Sequence, residues 1–99
     1  MDIKRNQSFD SFVFQGNIDI HAETNFKEIP ALVEKTIVKL DFSQVGRINS
    51  MGIALLLRCF KKIREEKNAE IVLTGLNTIH TMLFKTTGVF LLASLDNNT

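Results

Sequence analysis

Between residues 36 and 63 the hydrophobic pattern changes period once, and that change sets most of what the chain is able to fold into. Residues 36–42 (TIVKLDF) form a short run of β-branched and bulky apolar side chains, the make-up of a buried strand. From Ser50 to about residue 67 the pattern becomes helical. Ile53, Leu56, Leu57, Phe60 and Ile63 trace one apolar stripe, while Arg58, Lys61, Lys62, Glu65 and Glu66 lie off it. A strand that feeds a helix through a short loop is the building block of an α/β layer structure.

The rest of the chain extends the alternation. Residues 12–20 alternate moderately, with Gly16 and Asn17 as a break, which predicts two short strands or one bent hairpin. Phe26, Ile29, Leu32 and Val33 fall at helical spacing within residues 26–35, with Thr24 or Asn25 as N-cap and Pro30 confined to a first turn. Residues 71–73 read as a short strand. Asn77 or Thr78 caps a third helix carrying Ile79, Met82 and Leu83, with Gly88 as its stop. Residues 89–95 supply a last edge strand. The expectation is one α/β domain over residues 1–99, with helices packed against a mixed sheet.

Composition narrows the function. Twelve Lys plus Arg against eleven Asp plus Glu leave a net charge of +1, which argues against sequence-independent nucleic-acid binding. One cysteine and two histidines are too few for a structural zinc site of four protein ligands, and Cys59 reads as a packing residue. Residues 1–10 have no apolar segment of the signal-peptide kind. The longest uncharged apolar run, residues 51–57, falls far short of the roughly 20 residues that span a bilayer, so direct membrane insertion is not expected. A cytoplasmic location follows as the default.

Candidate chemistry is sparse. His21 and His80 share no spacing motif and read as surface or satisfied histidines. Asp19, Glu23 and Asp41 read as caps and turn formers. No phosphate loop or nucleophile elbow is present, so neither an enzyme nor a cofactor is expected. The informative stretch is residues 41–57, DFSQVGRINSMGIALLL. Asn49 and Ser50 offer side-chain oxygens to the free N–H groups of a helix start. Gly52 sits in the first turn, where it costs about 0.5–1 kcal/mol against Ala unless something must approach the backbone. At about 100° per residue, Met51 and Leu55 share the outward stripe with Arg58 and Lys62. That phasing predicts an exposed apolar pair beside the helix start.

This stretch resembles the STAS domain family, the fold of bacterial anti-sigma factor antagonists. The family's Asp-Ser-Ser/Thr-Gly motif, opening a long apolar helix after a strand, is matched by Asn49, Ser50, Met51 and Gly52. Its early Gly-x-Leu/Ile-Asp segment is matched by Gly16, Asn17, Ile18 and Asp19, and its late Thr-Gly by Thr87 and Gly88. Asn49 stands where the family usually has Asp, and Met51 where it has Ser or Thr.

The resemblance implies a regulatory domain with no chemistry of its own. Its partner would be an anti-sigma factor that is also a serine kinase, with a phosphatase reversing the modification. Ser50 would be the phosphoacceptor, and Asp19, Asn49, Ser50, Met51, Gly52 and Leu55 the partner-binding residues. The alternatives within the resemblance are a non-phosphorylated STAS subunit of a phospholipid-transport ABC system and a small-ligand-binding STAS module.

Overall fold

The computed structural model describes residues 1–96. Five strands form one sheet in the order β1-β2-β3-β4-β5, so each strand neighbours the next in sequence. They are β1 (Asp2–Arg5), β2 (Asp10–Ile18), β3 (Ile37–Ile48), β4 (Glu70–Thr74) and β5 (Ser94–Leu95). β1 runs antiparallel to β2, and the other pairings are parallel. Three helices make the crossovers: α1 (Glu23–Leu32), α2 (Ser50–Lys62) and α3 (Thr78–Thr87). The expected mixed sheet is present.

One face of the sheet carries the core. Along β3 the side chains of Val38, Leu40 and Phe42 are buried, while the alternating Ile37, Lys39 and Asp41 are partly exposed. Aromatic rings link the helices across the buried face. Phe26 of α1 packs on Phe14, Phe14 on Phe42, and Phe42 edge-on against Phe84 of α3, with centroids 5.2, 5.3 and 5.6 Å apart. On α2 the buried residues Ile53, Leu56 and Phe60, followed by Ile63, are the expected stripe, with Leu57 partly buried.

Several boundaries differ from the sequence reading, each for a physical reason. The N-terminal hairpin pairs β1 with β2, whereas residues 12–20 were expected to hold it alone. All four β1 residues are exposed, so that strand has no alternating pattern to read. Gly16 and Asn17 do not end β2; they form an irregularity in its pairing with β3, and Gly16 takes φ +77°. α1 begins earlier than expected, after a 3₁₀ turn over Ile20–Ala22, and ends earlier. Pro30 therefore lies in the last turns of α1 rather than in the first. The helix stops soon after it, where the buried Asp10 carboxylate accepts the N–H groups of Glu34 and Lys35 at 2.7 and 3.0 Å.

β3 also continues through residues 43–48, where a loop was expected. β4 pairs with β3 only as far as Asp41, but β2 accompanies it to Ile48. α2 widens into a π turn over Ile63–Lys67 and stops at Asn68, which has φ 51°. On α3 the inward residues are His80 and Phe84; Ile79 and Met82 face out, correcting the expected apolar face. Residues 89–95 give a 3₁₀ turn and only the two-residue β5.

Candidate functional site

The start of α2 is built by three neighbours. Asn49 is extended (φ −92°, ψ −179°), and its Oδ1 accepts the N–H of Gly52 at 2.8 Å. Its own N–H donates to the Ile18 carbonyl at 3.2 Å, joining the helix cap to the end of β2. Gly52 completes the seat. A Cβ at position 52 would fall on the Ile18 carbonyl oxygen and 2.9 Å from its carbon, so only glycine lets the first turn rest there.

Ser50 is the first residue of α2 and is exposed. Among the described residues nothing hydrogen-bonds its hydroxyl. No acidic residue lies in the first turn of α2, so the unpaired N–H groups and the positive dipole end are not neutralised locally. Asp19 follows Ile18 directly and is half-exposed; its Oδ1 accepts the His21 N–H at 2.9 Å, capping the 3₁₀ turn. The fold thus brings Asp19, Asn49, Ser50 and Gly52 to one end of the sheet.

Met51 is 46% exposed, as expected. Leu55 is not: at 3% exposure it lies in the core, and the expectation of an outward Met51–Leu55 pair is corrected. The cause is a second packing surface on α2. Leu55 and Cys59 line a cleft against Glu23, Phe26 and Lys27 of α1, so the helix is buried on two sides. Burial without polar partners pushes the Cys59 thiol up to about 12.

A feature that the sequence did not disclose adjoins this end. The terminal residues of β3 and the first turns of α3 enclose an open cleft of about 310 Å³, lined by Arg47, Ile48, Asn49, Ile79, His80 and Leu83 among others. His80 is buried, and its Nε2 stands 2.7 Å from the Gly46 carbonyl oxygen. A carbonyl only accepts, so Nε2 carries the proton. Asn77 caps α3, accepting the His80 N–H at 2.7 Å. Opposite, Asn17 Oδ1 accepts the Arg47 N–H at 2.9 Å, tying β2 to β3. A histidine among apolar residues of α3 was the one sequence signal for this arrangement.

Residues 1–98 match the STAS domain family. The chain belongs to the STAS domain family. Solved structures show the same fold. A sulfate transporter family protein from Wolinella succinogenes matches with TM-score 0.77 at 12% identity, over 90% of this chain and 78% of that one. An anti-sigma factor antagonist from Mycobacterium paratuberculosis gives 0.70 at 19%, over 96% and 82%. The Bacillus cell fate determinant SpoIIAA in its phosphorylated form gives 0.66 at 13%, over 97% and 90%. No curated protein sequence matches in a direct comparison. Within this STAS domain the motif residues of the resemblance occupy the α2 start, the end of β2 and the C-cap of α3, where Gly88 has φ 83°. Among the described residues no helix is long and apolar enough to cross a membrane.

Proposed function

We propose that this STAS domain is a non-enzymatic regulatory module of the cytoplasm, an anti-sigma factor antagonist switched at Ser50. Its partner is an anti-sigma factor with serine kinase activity, and a phosphatase restores the unmodified form. One observation carries the reading: an exposed, unengaged hydroxyl stands at the first position of a helix whose start is held by Asn49 and seated on β2 through Gly52. Asp19, Asn49 and Met51 complete the docking surface, while Gly52 is itself buried against Ile18 and acts by seating the helix start. Leu55, being buried, is left out of that surface.

In the transfer, Ser50 Oγ bonds to the γ-phosphorus of ATP as the bond to the ADP oxygen breaks, and the hydroxyl proton passes to a base of the kinase. This chain supplies only the acceptor. The phosphate brings roughly −1.5 to −2 charge, which a helix N-terminus accommodates through its free N–H groups. The fold therefore persists, and bulk and repulsion act in the docked interface. The solved phosphorylated SpoIIAA supports this, since it keeps the same fold. Mass spectrometry after incubation with the cognate kinase and ATP tests the switch. A phosphoryl group on Ser50 is expected; its absence, under conditions that modify a control antagonist, removes the reading.

A second reading, a non-phosphorylated STAS subunit of a phospholipid-transport ABC system, is favoured by the exposed Met51 where the family usually carries a hydroxyl. It predicts that wild type and Ser50→Asp bind the partner equally and that an ABC ATPase copurifies.

A further inference from the structure

The geometry points to the character of the partner: a protein segment that is apolar and acidic, seated over the cleft between the end of β3 and α3. The cleft shares Asn49 with the start of α2, so it is continuous with the Ser50 site. Ile79, 75% exposed, lines its α3 wall, and Met82, 63% exposed and three residues further along the helix, lies outside the lining on the neighbouring surface of α3. Single surface apolar residues are ordinary, but two large ones beside an open apolar cleft form a patch that something covers.

The cleft lining carries charge of one sign, with Asp19 outside it at the end of β2. No carboxylate lines the cleft, and neither α2 nor α3 has an acid in its first turn, where acids are otherwise favoured. α3 contains no Asp or Glu at all. Arg47 on the cleft and Lys85, three residues beyond Met82, are exposed. Among the described residues neither forms an ion pair. An apolar cleft whose lining and α3 face carry cations and no acid is complementary to aliphatic side chains flanked by carboxylates. A second copy of this chain fits poorly, because a two-fold contact through this face would bring two cation-bearing surfaces together with no acid from the cleft or α3 to pair them. Nucleic acid lacks the apolar surface to cover Ile79 and Met82.

This inference rests on the Ser50 reading and gives it a mechanism. A phosphate on Ser50 places negative charge in the field that the partner's carboxylates require, so release is a competition of charges and needs no change of shape.

Selection of a surface-displayed random-peptide library on the folded domain tests the proposal. Enriched peptides are expected to combine aliphatic residues with Asp or Glu. Their affinity should fall at least about tenfold in Ile79→Lys and in Arg47→Glu, while Leu91→Lys, on an exposed residue away from the cleft, changes it less than about twofold. Melting curves verify that each variant is folded. Enrichment of basic peptides, no enrichment, or indifference to both cleft substitutions overturns the proposal. So does sedimentation with phosphatidylglycerol vesicles that Ile79→Lys abolishes, since the face would then belong to a lipid surface. Ser50→Asp separates the two readings: if it leaves peptide binding unchanged while Arg47→Glu abolishes it, the switch fails and the docking surface stands.

Discussion

Gly52 and Ile18 meet backbone to side-chain-free backbone, so the first turn of α2 rests directly on the end of β2. Elsewhere in a helix, Gly→Ala stabilises by about 0.5–1 kcal/mol. Here the new methyl falls on the Ile18 carbonyl, and the helix start or the strand end must shift. Gly52→Ala is therefore expected to destabilise by about 1–3 kcal/mol, the usual cost of overpacking. Urea denaturation checks it: the midpoint should fall with little change in slope.

Leu55 and Met51, four residues apart on one helix, are expected to respond in opposite ways. Leu55→Ala empties a core position between α1 and α2 and should cost about 2–5 kcal/mol. Met51→Ala, on the surface, should stay within about 0.5 kcal/mol of wild type while weakening partner binding. Parallel denaturation and affinity measurements on the two variants separate a packing residue from a contact residue.

The same pair shows how far the sequence could be read. The inward stripe of α2 and the Asn49 cap were legible because they obey local rules, periodicity and capping, that need no knowledge of neighbours. Leu55 was misplaced because a single stripe assumes one packing partner, and α1 supplies a second. β1 escaped because an exposed edge strand owes its existence to pairing with β2, not to its own pattern. The cleft at His80 depends on residues 46–49 and 77–83 converging from two distant parts of the chain, which no spacing encodes.

Cys59 makes a pH-dependent prediction. The thiolate is the reactive form, and burial raises the folded pKa from 9.0 to about 12. The folded state thus holds the proton more tightly than the unfolded one. The associated stability is fully present below pH 9 and is lost as pH rises through 9 toward 12. Cys59→Ala removes this dependence, so stability should fall more steeply with alkaline pH in wild type than in the variant. Native protein at about pH 8 should resist alkylation that urea-unfolded protein undergoes readily.

Asn49 decides between capping and charge. Its Oδ1 cap would survive in Asn49→Asp, and the added negative charge at the α2 N-terminus should stabilise the fold by about 0.3–1 kcal/mol. The same charge enters a cleft lining that holds Arg47 and no carboxylate. Binding of an acidic, apolar peptide should therefore weaken several-fold even as the melting temperature rises. Asn49→Ala should lose about 1 kcal/mol of stability with the cap and, because it removes a cleft contact without adding charge, should weaken binding less than Asn49→Asp and with less dependence on salt. Melting curves and peptide titrations of both variants at low and high salt provide the measurement. If Asn49→Asp binds as tightly as wild type at low salt, where charge effects are greatest, electrostatic competition is not how a modification at Ser50 acts.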